Sequence, residues 1–175
     1  MRQATVIVET LARALALCGG LVLLVVMVIT SINVAAFALD RLARPFGGIV
    51  PGLQGYEDVI VLAMAVAAPL FLPWCQAERG HIAIDAFTAR APAALKGALD
   101  RIALIATAAL ALALAVALCI GALETRADAV LSPVLGWPTW PSFLPGVVGL
   151  ATWSAVAAVQ ALTLSSRAPD PSADG

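Results

Sequence analysis

Charged residues divide the chain into four long apolar runs. Between Arg13 and Asp40 lie 26 residues without a charge, ALALCGGLVLLVVMVITSINVAAFAL. Between Asp58 and Glu78 the run VIVLAMAVAAPLFLPWCQA has 19, and between Arg101 and Glu124 the run IALIATAALALALAVALCIGAL has 22. A fourth run sits inside the uncharged stretch 129–166, where Trp140 marks its entry because tryptophan favours the membrane interface. A helix of about 20 apolar residues crosses the ~30 Å hydrocarbon core of a bilayer. The pattern therefore predicts four transmembrane helices, at about 14–39, 57–76, 101–123 and 140–164.

Two details of the runs need a decision. Ala and Leu alternate over 109–118, which imitates the period of a strand. The length of the run and its lack of turn signals predict a helix instead. On that helix Ala109, Ala113, Ala117 and Gly121 recur every fourth residue, the spacing at which small side chains let a neighbouring helix approach closely in lipid. Ala36-Phe37-Ala38 looks like a signal-peptide cleavage site, but the apolar run before it exceeds the 7–15 residues, roughly, of a signal h-region. The first span is expected to be a retained anchor.

The flanks set the orientation through Lys and Arg alone. With the N-terminus in the cytoplasm, the inner segments hold Arg2, Arg13, Arg79, Arg90, Lys96, Arg101 and Arg167, against Arg41, Arg44 and Arg126 outside. That excess predicts cytoplasmic termini and a cytoplasmic 76–101 loop. The outer loop 40–58 is rich in Gly and Pro and should be irregular. The outer segment 124–139, with Pro133, Pro138 and Trp137, should lie along the interface. Segments 1–13 and 80–91 pattern as short amphipathic pieces at the inner surface. Segment 92–101 either runs straight into the third span or lies on that surface first, and 166–175 patterns as a disordered cytoplasmic tail. The expected fold class is an all-α membrane protein, with a four-helix transmembrane domain at 14–165, short amphipathic interfacial helices and both termini cytoplasmic.

Composition agrees and narrows the chemistry. Only 12% of the residues are charged, against roughly 25% in a soluble domain, too few to coat a water-facing surface. The net charge of −1 offers nucleic acid nothing. Cys18, Cys75 and Cys119 sit in separate apolar runs without a CxxC pair, so neither a disulfide framework nor a thiol relay is expected. His81, the single histidine, cannot supply paired haem ligands or a zinc ligand set. There is no GxSxG or HExxH motif, and no cofactor or metal is expected. His81 and Asp85 would share one helix face, but no nucleophile accompanies them, so they read as a polar cap at the cytoplasmic end of a span. A self-sufficient transporter needs polar groups or broken helices at mid-membrane. The cores hold only Thr30, Ser31 and Asn33, read as interhelical hydrogen-bond formers, and the prolines Pro69 and Pro73. Glu57 and Asp58, at the outer end of the second span, are placed to meet basic residues of a partner.

The order of these features resembles the small permease subunit of tripartite ATP-independent periplasmic (TRAP) transporters, the DctQ-like family, from about residue 15 to 164. Gly55-Tyr56-Glu57 opens the second span, ERGHIAID at 78–85 follows it, and a Trp-Pro-rich approach with Pro145-Gly146 leads into the last. Arg79 stands one position closer to His81 than the family's R-x-x-H spacing. The resemblance implies a large permease subunit, a periplasmic solute-binding protein and membrane lipids as partners, and uptake of an organic acid, such as a dicarboxylate, on a sodium gradient at the bacterial inner membrane. It implies for this chain a scaffolding role, in which Glu57 and Asp58 dock the large subunit and Arg79, His81 and Asp85 fix the cytoplasmic end. Two other classes fit the residues as well. One is a four-span membrane enzyme, or an enzyme's anchor subunit, with an interfacial site at His81 and Asp85. The other is the small subunit of a tripartite tricarboxylate transporter.

Overall fold

The structure, a computed structural model, describes residues 2–78 and 93–165. Its helices are α1 (Arg2–Ala43), α2 (Tyr56–Ala77), α3 (Ala93–Ala127) and α4 (Phe143–Ser165), with single 3-10 turns at Arg44–Phe46 and Trp140–Ser142. All four are long and apolar enough to cross a membrane. α1 has 42 residues, about 63 Å at 1.5 Å per residue, roughly twice the hydrocarbon thickness. The amphipathic N-terminal segment is therefore the first turns of α1, continuous with the uncharged run. Residues 93–101 likewise run straight into α3.

The helices are not arranged as a ring of sequential neighbours. α4 packs against α3, α2 and α1, and α2 also packs against α1. Among the described residues α3 meets neither α1 nor α2. Asp58 and Gln76, near the two ends of α2, contact the segment before α4 and the far end of α4 respectively, so α2 and α4 run parallel. α4 is the centre of the molecule: 39% of its most apolar window is buried, against 6% for α1 and 11% for α3.

Glycine and proline explain why α2 and α4 lie so close. Pro69 and Pro73 sit inside α2, and each lacks the N–H that would bond the carbonyl four residues earlier, which frees the carbonyls of Ala65 and Pro69. α4 presents a glycine to each. A Cβ at Gly149 would fall 2.6 Å from the Pro69 oxygen, and one at Gly146 would lie 3.9 Å from the Ala65 oxygen. With no side chain there, the α-carbon of Gly149 covers the freed Pro69 oxygen, a contact in which Cα–H groups serve as weak donors. On the opposite side of α2, Gly19 of α1 is similarly tight, its added Cβ meeting the Ala67 oxygen at 3.2 Å.

Candidate functional site

At the start of α2, Gly55 adopts φ 76°, a conformation that favours glycine, and Leu135 covers it so closely that a Cβ would fall 2.5 Å from Leu135 Cδ2. One turn on, Asp58 is buried. Its Oδ2 accepts the backbone N–H groups of Val134 and Leu135, each at 2.8 Å. The α3–α4 connection is itself folded back by a bridge between Leu131 and Pro138 and by the Ser132 hydroxyl accepting from Trp137 N–H at 3.1 Å. Arg126, ending α3, lies over the Trp140 ring at 5.1 Å, within cation–π range. Asp58 thus clasps the second loop onto the end of α2.

The first loop is fastened in the same manner. Asn33 is buried and its Oδ1 accepts Leu53 N–H at 2.8 Å, while Asp40 accepts Val50 N–H at 3.1 Å and the Arg44 Nε–H at 2.7 Å. Asn33 and Asp40 are seven helical steps apart, about 10 Å along the axis. Three extended steps, Val50 to Leu53, cover about the same distance. The loop therefore descends antiparallel along α1. Gly52 makes that descent fit, because a Cβ there would lie 2.9 Å from Phe37.

At the opposite end, α2 and α4 share an amide network. Gln76 donates to Gln160 Oε1 at 2.8 Å, Gln160 donates to the Gln76 backbone oxygen at 2.9 Å, and the Trp153 indole donates to Gln76 Oε1 at 3.2 Å. The backbone oxygen belongs to the last turn of α2, which has no partner within its own helix. Between α4 and α3, Ser154 donates to the Ala108 carbonyl at 2.8 Å.

The residues singled out from sequence divide accordingly. Glu57 is exposed and makes no ion pair among the described residues, whereas Asp58 is occupied by the chain's own loop. Thr30 bonds back to Val26 of its own helix, and Asn33 holds a loop instead of a second helix. Ala109, Ala113 and Ala117 are exposed. The face of α3 that meets α4 contains Ala111, Ala115 and Ala122, all buried, half a turn away from Ala113. Of the fourth-residue ladder only Gly121 lies near α4, where an added Cβ would be 3.8 Å from the Phe143 ring; the rest of the α3–α4 contact is made by the opposite alanine face. Arg79, His81 and Asp85 lie outside the described residues. The roles of Gln76, Gln160, Ser154, Asp40 and the glycines of α4 were not anticipated; the paired prolines of α2 and the isolated Gln160 were the available signals.

Among the described residues no group of three His, Cys, Asp or Glu is gathered closely enough to hold a metal ion. What the polar side chains do is fasten loops and helix ends. No curated protein and no solved structure matches the chain. The family model for tripartite ATP-independent periplasmic transporters, DctQ component, matches residues 39–167, from the loop-bearing end of α1 through the whole of α2, α3 and α4. A match of that extent, over a four-helix apolar architecture, settles membership: the chain belongs to the DctQ family, a small membrane component of TRAP transporters.

Proposed function

We propose that this chain is the static brace of a three-part importer in the bacterial inner membrane. It holds the large permease subunit, in which the substrate and ion sites lie, and it presents its two fastened loops to a periplasmic binding protein that delivers an organic acid. Uptake draws on an ion gradient, with sodium as the coupling ion.

One observation carries this reading. Among the described residues, every buried polar side-chain atom already has a hydrogen-bond partner, and the partners of Asn33, Asp58 and Gln76 are the chain's own backbone and side chains. Among the described residues, the buried interior therefore leaves no polar group over to line a path for a charged solute. α1 and α3, by contrast, turn most of their apolar surface outward, as helices intended for lipid or a partner do. Glu57, exposed at the head of α2, is the proposed contact for a basic group of the large subunit, and Arg79, His81 and Asp85 are the proposed cytoplasmic fastening.

Reconstitution into liposomes separates the roles. This chain alone should give no uptake, the large subunit with the binding protein should give little, and all three together should give sodium-dependent uptake. Flux through this chain alone would refute the brace. Within the complex, undiminished co-purification of Glu57→Ala would remove that contact. Full uptake by the combined His81→Ala and Asp85→Ala variant would remove the fastening.

A further inference from the structure

Between the start of α1 and the end of α2 lies an open cleft of about 280 Å³, whose walls include Glu9, Thr10 and Arg13 from α1 and Trp74 and Glu78 from α2. Its level in the membrane follows from the sequence. Arg13 is the last charge before the uncharged run of α1, and Glu78 is the first after that of α2. Both therefore mark the edge of the hydrocarbon, and Trp74 beside them has the amphipathic ring that settles at headgroup depth. Above Arg13, Leu17 and Leu21 follow at four-residue spacing, 68% and 63% exposed, an apolar stripe leading from the cleft into the bilayer.

The charges of the cleft limit what fills it. One guanidinium shares the cleft with two carboxylates, and none of the three makes an ion pair or hydrogen bond among the described residues. The Thr10 hydroxyl is turned back to the Val6 carbonyl at 2.7 Å. A purely anionic headgroup would meet a net negative cleft, and a simple cation would meet Arg13. A zwitterion satisfies both signs, with its phosphate on the planar donor fork of Arg13. A primary ammonium has three N–H donors to offer two carboxylates; a trimethylated ammonium has none.

We propose that this cleft binds the headgroup of a phospholipid in which a phosphate is joined to a primary ammonium, the phosphate on Arg13 and the ammonium between Glu9 and Glu78. The lipid tails run along Leu17 and Leu21. The site rests on the membrane reading of the chain, independently of the partner it braces.

Native mass spectrometry of the delipidated full chain tests this. Phosphatidylethanolamine, phosphatidylcholine and phosphatidylglycerol with identical acyl chains are offered at equal concentration, with soluble glycerophosphoethanolamine in a separate arm. The expected result is a one-to-one phosphatidylethanolamine adduct about tenfold more abundant than either other lipid, a preference of about 1.4 kcal/mol. Arg13→Gln and the double variant Glu9→Gln with Glu78→Gln should each lower it to the phosphatidylcholine level. Arg13→Lys, which keeps the charge and guards against a folding artefact, should retain part of it. Equal adducts, preference for phosphatidylglycerol, or unchanged binding by the variants would overturn the proposal. So would equally tight binding of the soluble headgroup, which would make the ligand a free zwitterion. Loss of large-subunit co-purification in Arg13→Gln with lipid binding intact would overturn it in favour of a protein contact.

Discussion

The Asp58 carboxylate and the Leu135 backbone N–H, 77 residues apart in sequence, meet at 2.8 Å. Because the same oxygen also accepts from Val134, removing it strands two amide donors at once. Asp58→Ala should raise hydrogen exchange at Val134 and Leu135 by an order of magnitude or more and open the loop to chymotrypsin at Leu135, since Trp137 and Trp140 are each followed by proline and resist cleavage. Glu57→Ala, at the exposed neighbouring position, should leave both readouts alone. Equal exchange in Asp58→Ala and the parent would show that the clasp contributes nothing to loop order.

Gly149 offers a sharper test of the helix contact. A Cβ at this position would fall 2.6 Å from the Pro69 oxygen and 2.9 Å from its carbonyl carbon, and backbone cannot move aside as a side chain can. Gly149→Ala should therefore part α2 from α4, at a cost of about 1–3 kcal/mol, seen as a lower thermal midpoint in detergent. Gly20→Ala is the control, since nothing lies within 4 Å of its added Cβ. Alanine is the better helix former, so a midpoint that Gly149→Ala leaves unchanged or raises, as Gly20→Ala does, would show that the contact is not tight.

The amide network should show coupling. Gln160→Leu removes the acceptor of the buried Gln76 amide and the donor to the Gln76 backbone oxygen, and hydrogen bonds of this kind in membranes are worth about 1 kcal/mol. The double variant Gln76→Leu with Gln160→Leu should cost less than the sum of the singles, since neither leaves the other unpaired. Strict additivity in denaturation in mixed micelles would show that the two amides act independently.

Orientation is tested with reporters. The Lys and Arg distribution, seven on one side against Arg41, Arg44 and Arg126 on the other, predicts cytoplasmic termini. Alkaline phosphatase fused after residue 175 should be inactive, and fused within 128–139 it should be active. The reverse pattern would invert the molecule in the membrane.

The helices were legible because uncharged runs of 19 to 26 residues admit little else. Which face of each helix turns inward was not. Around α3 both the ladder at Ala109, Ala113 and Ala117 and the buried set at Ala111 and Ala115 are alanine. In lipid the outside is as apolar as the inside, so the amphipathic signal that would separate them in a soluble protein is missing. Asn33 and Asp58 stood out as polar residues in or beside apolar runs, yet their acceptors' partners are backbone N–H groups of loops 20 and 76 residues away. Every residue but proline has such a group, so nothing in the side-chain pattern marks the pairing.

α4 is synthesised after the other three helices, and it is the helix that all of them touch. While the chain is still emerging from the ribosome, α1 and α2 can pair as a hairpin, but α3 has no neighbour in the bundle until α4 arrives. Assembly of the described bundle thus waits for the insertion of α4, and a chain truncated before Trp153 would be left as a hairpin with a stray helix that quality-control proteases can recognise.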